Sequence, residues 1–412
     1  MPVAQDRSTR FSGWRIVALA TITMALTGPG QTIGVSVFID HFAADLDLEK
    51  SWITAGYLVG TLTGSLALPT VGRLIDRHGV RRSMTAIGAA FTVALVAMSG
   101  VQGILSLTAG FVFIRMLGQG SLSLVSVMSI QLWFERRRGT AISVAVTVSA
   151  ALMALVPVGL NTVIDEIGWR ATWLVAAGVV GTLVLPIAWF GMIDRPSSVG
   201  QMADGGVVAD GVAAVPAWGL GRGEAVRRYE FWVLAISSAS VSMLVTGLNF
   251  HQIALLGESG FTSTEAAALF LPQVLGSTIG SPATGYALDR IGTRNAPLIV
   301  VALLTATLVV AGSASSTGEV IGYAVLLGLL GGAARSVSST LPPAWFGVRN
   351  LGAIQGTLSF VGVMASAAGP FAFSVTELAT GGYRSTALAW AVAPAALTVL
   401  FALRPPTVRR PG

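Results

Sequence analysis

The sequence predicts an all-α integral membrane protein, with twelve transmembrane helices arranged as two pseudo-symmetric six-helix bundles. Three observations carry this expectation. Of 412 residues, 53% are hydrophobic and only 11% charged, and the apolar residues gather into runs of the length an α-helix needs to cross ~30 Å of hydrocarbon. The basic residues fall almost entirely in alternate connections between those runs. The chain also repeats itself at an offset of about half its length.

The runs are residues 16–39, 52–71, 84–101, 104–131, 140–162, 171–192, 231–255, 265–286, 296–313, 318–341, 351–375 and 385–403, numbered here as spans 1 to 12. The polar start "MPVAQDRSTRFSGW" leads into a full-length apolar run without a small-residue cleavage site, so span 1 is expected to be retained and not removed as a signal peptide. The absence of cysteine excludes disulfides and thiolate metal sites. Pro29, Pro157, Pro272 and Pro282 lie inside spans, where a missing backbone donor bends a helix, and are candidate hinges. Glycines at four-residue spacing (Gly56, Gly60, Gly64; Gly276, Gly280; Gly328, Gly332) are expected to pack helix on helix, because lipid supplies little drive between helices and small residues let backbones approach.

Orientation follows from arginine, since Lys50 is the only lysine. With the N-terminus inside, the cytoplasmic segments hold Arg7, Arg10 and Arg15; Arg73, Arg77, Arg81 and Arg82; Arg136 to Arg138; Arg195, Arg222, Arg227 and Arg228; Arg290 and Arg294; Arg349; and Arg404, Arg409 and Arg410. The external loops hold only Lys50, Arg170 and Arg384, among acids such as Asp45, Asp47, Glu49, Asp165, Glu166, Glu319 and Glu377. The positive-inside rule therefore places both termini in the cytoplasm of a cell (inner) membrane. The net charge of +6 reflects that orientation, and a nucleic-acid partner is not expected.

At an offset of 213, "GRLIDRHGVRR" from Gly72 aligns with "GYALDRIGTRN" from Gly285, pairing Asp76 with Asp289, Arg77 with Arg290 and Gly79 with Gly292. Downstream, "LWFERRRG" matches "AWFGVRNLG" after a one-residue insertion, and "GWRAT" at Gly168 matches "GYRST" at Gly382. The chain thus divides into bundles at 1–192 and 230–412, joined by a cytoplasmic linker at 193–229. The first part of the linker, rich in Gly, Ala, Asp and Pro, is flexible by composition, and its last turns suit a short basic interfacial helix.

On these motifs the chain resembles the major facilitator superfamily. The loop between spans 2 and 3 stands as Gly72, Leu74, Asp76, Arg77, Gly79, Arg81 and Arg82, with a weaker copy containing Asp289 and Arg290. The resemblance implies the major facilitator fold, secondary active transport by alternating access, and a conformational latch at this loop. In such a latch a carboxylate at the end of span 2 caps the positive N-terminus of a helix in the opposite half, while the arginines pair with nearby acids. A plainer role for Arg81 and Arg82 is to solvate the loop and enforce orientation.

Within the superfamily the chain is similar to the monocarboxylate and oxalate/formate type of porter, through "SGWRIVALA", "QLWFERRRGTAIS" and "YEFWVLAISSAS…GLNFHQIALL". It departs from eukaryotic carriers of that type in span 8. Their Asp and, four residues later, Arg before Pro stand here as Ser277 and Ser281 before Pro282. Pro157 and Gly159 resemble a fragment of the drug-exporter antiport signature, whose other glycines are mostly missing.

The resemblance makes spans 1, 4, 7 and 10 line the transport path, and each carries polar residues at helical spacing. These are Thr23, Thr27 and Gln31; Arg115, Gln119, Ser123 and Ser126; Ser238, Ser242, Thr246, Asn249 and Gln252; and Arg335, Ser338 and Ser339. The candidate substrate-binding set is Arg115, Gln119, Ser123, Arg335, Ser339, Asn249, Thr246, Gln31, Thr27 and His251. Only Arg115 and Arg335 are basic and well inside spans, where an arginine costs about 2.5 to 3.5 kcal/mol and faces a polar cavity or a partner. Two such guanidiniums suit a carboxylate substrate. Arg115 has a second reading, since "RMLGQG" resembles a widespread superfamily motif that serves helix coupling or packing. Arg335 lies close enough to the inner end of its span to snorkel. Asp40, His41, His251 and Glu258 are candidate proton carriers, or else loop ends and a packed histidine.

An enzyme has little to rest on here. Lys50 follows Glu49, so no GxxxxGK[ST] loop exists, and three histidines without cysteine give no zinc site. No catalytic residue, cofactor or metal is expected. The expected activity is secondary transport of a small organic anion by a symporter or antiporter, with a drug or metabolite exporter as the alternative. The expected partners are that small-molecule substrate, a coupled proton or counter-anion, and the lipid bilayer, for a monomer.

Overall fold

In a computed structural model the described residues are 11–205 and 218–406, and at 263, 264 and 267 the backbone alone. Among them no β-strand forms beyond an isolated bridge between Gly219 and Gly347. The terminal arginines Arg7, Arg10, Arg409 and Arg410, and residues 206–217 of the linker's flexible stretch, lie outside the described residues.

Nine helices among the described residues are long and apolar enough to cross a membrane, and the pair Lys50–Leu66 and Leu68–His78, bent by 40° ahead of Pro69, makes a tenth. These ten are spans 2 to 7 and 9 to 12. Spans 1 and 8 depart from that pattern for physical reasons. Span 1 breaks after Gly13–Ala25: a short turn at Gly28–Gly30 intervenes before Thr32–Ser36 and Ile39–Asp45. Two glycines flanking a proline, which lacks the amide donor, cannot sustain an uninterrupted helix there. Span 8 is one continuous helix, Phe270–Ile291, and Gln273, Ser277, Thr278 and Ser281 dilute its apolar character. Of the other candidate hinges, Pro157 follows an interruption of span 5 between Arg138–Met153 and Val156–Ile167, whereas Pro272 and Pro282 lie within the unbroken span 8 helix.

The buried apolar residues separate into two cores, one drawn from residues 16–192 with Leu351 joining it, the other from 220–401. Spaced glycines pack spans within each half. Gly56, Gly60 and Gly64 of span 2 lie against Thr108, Phe111 and Met116 of span 4, while Gly276 and Gly280 of span 8 meet Val325 and Leu329 of span 10. Gly328 and Gly332 return that contact against Gln273 and Ser277.

The "GWR" and "GYR" repeat has a shared structural cause. Arg170 donates to the carbonyls of Ser99 (3.0 Å) and Val101 (2.8 Å) where span 3 ends, and Arg384 to those of Gly312 (3.2 Å) and Ser313 (3.1 Å) where span 9 ends. A guanidinium at a helix C-terminus satisfies orphan carbonyls and opposes the dipole.

The two halves meet at their arginine-rich end. There span 2 packs on span 11, span 5 on spans 8 and 10, and span 4 on spans 10 and 11. The far part of span 5, Val156–Ile167, packs instead on spans 1 and 6 of its own half.

Candidate functional site

Two reciprocal crossings join the halves. At the first, Asp76 at the end of span 2 accepts the Gly352 N–H on Oδ1 (2.7 Å) and the Ala353 N–H on Oδ2 (2.8 Å), both at the start of span 11. At the second, Asp289 at the end of span 8 accepts the Gly139 and Thr140 N–H groups (2.8 Å each) and the Thr140 hydroxyl (2.8 Å), at the start of span 5. Each carboxylate thus satisfies orphan donors and complements a positive helix end. A pair of glycines makes each approach close enough: a Cβ on Gly72 would run into the Gly352 carbonyl, and one on Gly139 into that of Gly285. The first sequence repeat supplies the carboxylates and the second supplies the helix ends. Each half gives one and receives one.

The rest of the latch motif behaves differently from the expectation. Gly79 adopts φ +83° and Gly292 φ +93°, turns that disfavour any residue with a Cβ. No ion pair reaches the arginines of either loop among the described residues. Arg81 instead stacks on Trp189 (4.6 Å) and Arg290 on Tyr286 (4.7 Å). Asp194 accepts the Arg81 main-chain N–H (2.8 Å), capping the start of span 3.

Deeper in the bundle, Arg115 is buried within the first half. Its Nε donates to Thr61 (2.9 Å), and Nη1 reaches the Gly30 carbonyl (3.4 Å) and Thr32 (3.5 Å), with the ring of Tyr57 4.8 Å from the guanidinium carbon. The Gly30 carbonyl is free to accept because span 1 is broken there. Gly30 itself lies close against the Ile114 carbonyl, so the break, span 2 and span 4 are held by one guanidinium.

Arg335 is placed otherwise. Its side chain is exposed, and Nη2 donates to the Ser277 hydroxyl of span 8. No acid pairs with it among the described residues. One turn along, the Ser339 carbonyl accepts from Gln131 of span 4, and Ser336 shares a hydrogen bond with Ser143 of span 5 (2.7 Å). This side of span 10 therefore faces the opposite half, and Arg335 sits just beyond the seal between them.

Residues 16–272 and 249–412 match the sequence profile of the Major Facilitator Superfamily. The chain belongs to this superfamily. Monocarboxylate transporter 11 of Mus musculus is 24% identical over 285 residues, which cover 68% of this chain and 60% of that protein, less than two thirds of its length. The 3-(3-hydroxy-phenyl)propionate transporter of Escherichia coli (strain K12) is 26% identical over 349 residues, 82% of this chain and 80% of that one. Among solved structures, the human organic anion transporter MFSD10 (TETRAN) shares the fold with a TM-score of 0.69 at 15% identity, over 94% of this chain and 99% of that one. This major facilitator protein is accordingly a multi-pass membrane transporter, and not an enzyme.

The remaining candidates in this major facilitator chain scatter. Span 4 widens into a π-helical stretch over Arg115–Leu122, and the Ser121 hydroxyl bonds the Met116 carbonyl five residues back (2.7 Å). That insertion breaks the 3.6-residue spacing on which the stripe rests. Gln119 and Ser123 are partly buried, Ser123 returning to the Gly118 carbonyl (3.4 Å), and Ser126 is buried against Leu122. Thr27 is fully buried on the Met24 carbonyl (2.7 Å) and accepts from Gln31 (3.0 Å). Thr246 pairs with Ser366 of span 11 (2.8 Å), and Asn249 accepts from Gln273 of span 8 (2.7 Å).

Three of the four candidate proton carriers, Asp40, Glu258 and His251, have structural employment, and His41 is half-buried at the end of span 1. The Lys50 ammonium, 2.5 Å away, holds the Asp40 carboxyl below the usual carboxylate range. Glu258 accepts the Tyr383 and Arg384 N–H groups at the start of span 12 (2.6 and 3.0 Å). His251 lies between Phe373 and Tyr383, its ring stacked 4.6 Å from the latter and Nε2 3.1 Å from the Pro370 carbonyl. A His251→Gln protein is expected to keep the wild-type pH profile of uptake and lose less than about threefold in rate, the loss of one modest hydrogen bond. Proteoliposome uptake between pH 5.5 and 8 checks this, and a flattened profile would make His251 a proton carrier.

Sequence reasoning missed Tyr57, Thr61 and Thr32 around Arg115, and Gln131 at the seal. It noticed Ser277 only as a departure from related carriers. The matched glycine ladders of spans 8 and 10 were the available signal that Ser277 and Arg335 share a crossing.

Proposed function

We propose that the chain moves a small organic anion, a carboxylate, across the cytoplasmic membrane by alternating access, with its arginine-rich end in the cytoplasm. The observation that carries this reading is Arg335. A guanidinium held, among the described residues, only by a neutral hydroxyl and exposed beside a sealed interface is a cation awaiting a counter-charge, and a carboxylate offers it two parallel hydrogen bonds. Its partner Ser277 stands where related carriers have their span 8 aspartate, so span 10 supplies here the cation that span 8 lacks. The substrates in the relatives' names, a monocarboxylate and a hydroxyphenylpropionate, agree with this class.

Arg115 takes the positioning role, clamping the broken span 1 to spans 2 and 4, and the partly buried Asn249, Thr246, Gln31, Gln119, Ser123 and Ser339 supply polar lining. Bundles 1–192 and 230–412 rock as units about linker 193–229, and the crossings at Asp76 and Asp289 form the latch that closes the cytoplasmic side. The test is uptake into proteoliposomes of short aliphatic and phenyl-substituted monocarboxylates, each beside its neutral amide. Saturable uptake of an acid but not its amide is expected. Transport of none of the acids, with resistance to cationic toxins conferred on cells instead, would replace this reading with drug export.

A further inference from the structure

An open cleft of about 260 Å³ lies beside the Asp76 crossing, lined by Arg73 and Arg77 of span 2, Arg222 of the linker, and Asn350 and Ala353 at the start of span 11. All three arginines are exposed. Arg73 has the Thr70 hydroxyl (3.0 Å), and no ion pair reaches any of the three among the described residues. Asp76, the one carboxylate of the lining, has both oxygens engaged by span 11. Glu224, two residues beyond Arg222, is turned back onto the Gly221 N–H (2.7 Å). Three like charges thus converge on one opening with their neighbouring acids committed elsewhere.

We propose that this cleft binds a phosphate group, gripped by Arg73, Arg77 and Arg222. Guanidinium forks arriving from separate elements present more donors than a planar carboxylate can accept, and a tetrahedral phosphate, with oxygens facing several directions, matches them. The site spans the two halves. Arg73 and Arg77 belong to the first, whereas Arg222 follows a linker segment fastened to the second: the Leu220 N–H donates to the Phe346 carbonyl (2.8 Å), the Val348 N–H to that of Trp218 (3.0 Å), and Asn350 Nδ2 to that of Leu220 (3.2 Å). A ligand that grips both sides binds the closed arrangement better than the open one and stabilises it by mass action. The phosphate comes from a phospholipid headgroup at the membrane surface or from a soluble phosphate. The consequence for transport rests on the Asp76 crossing acting as a latch; binding does not.

The experiment uses the full chain in lipid nanodiscs, with thermal unfolding as the readout. One arm titrates inorganic phosphate against chloride at matched ionic strength in phosphatidylcholine discs; the other replaces phosphatidylcholine stepwise with phosphatidylglycerol. A saturable rise in the midpoint is expected in at least one arm, the first identifying a soluble phosphate and the second a headgroup. The rise should need at least about tenfold more ligand in Arg73→Gln/Arg222→Gln and be unchanged in Arg136→Gln. If the double variant does not fold, the single variants are read in its place. No saturable rise in either arm, or the same titration with and without these arginines, overturns the site.

Discussion

Replacing Arg335 by alanine is expected to cut carboxylate kcat/KM by about 30-fold or more while leaving the protein folded. Once the halves close over the bound acid and exclude water from its pair with Arg335, truncating one partner costs about 2 to 5 kcal/mol, and each 1.4 kcal/mol is tenfold. Arg335→Lys should recover only part of the loss, since an ammonium cannot make the two parallel bonds of a fork. Ser277→Ala should cost about threefold to tenfold, the worth of one hydrogen bond that orients the guanidinium. Arg115→Ala should behave in the opposite way. Arg115 bonds Thr61, Thr32 and Gly30 around the break in span 1, so its loss should lower the unfolding temperature before it changes selectivity between acid and amide. Initial uptake rates for one transported acid, with unfolding curves for each variant, separate the two arginines. Full carboxylate transport by Arg335→Ala would remove the anion site from span 10.

What could be read in the sequence, and what could not, divides along the range of the interaction. Spans and halves came from hydropathy and duplication, which are summed over many residues and tolerate local error. The pairing of an aspartate with a helix end in the other half could also be anticipated, because both ingredients recur at the same offset. The break in span 1 was half visible: Pro29 stood out as a candidate hinge, but composition does not show that Gly28-Pro29-Gly30 interrupts the helix outright. The stripe on span 4 is distorted for a related reason: one extra residue in the turn from Arg115 to Leu122 rotates everything beyond it. Arg335 was visible as a charge but not as a pair, because Ser277 is brought to it only when spans 8 and 10 close on each other's glycines.

The crossings should show the other large effect, and through conformation instead of affinity. Gly72→Val places a branched side chain where the Gly352 carbonyl already sits, and backbone on both sides leaves no flexible group to give way. The halves must part at this end, so transport is expected to fall at least about 50-fold even though no substrate-contacting group has changed. Asp76→Asn is the milder version. It keeps the shape but makes one bond to span 11 neutral and loses the other, because an amide nitrogen cannot accept an N–H; with charge-assisted bonds worth about 1.5 to 3 kcal/mol each, the closed state should lose at least about tenfold in population. Adding Asp289→Asn should deepen the effect, since the second crossing then no longer holds what the first has released. The chain has no cysteine, so Ser143→Cys at the seal with Ser336 provides a single reactive thiol. Its maleimide labelling should be slow in an otherwise wild-type protein, faster with Asp76→Asn, and fastest with both aspartates replaced. Equal labelling in all three, with transport intact, would mean that the crossings pack the halves without governing their movement.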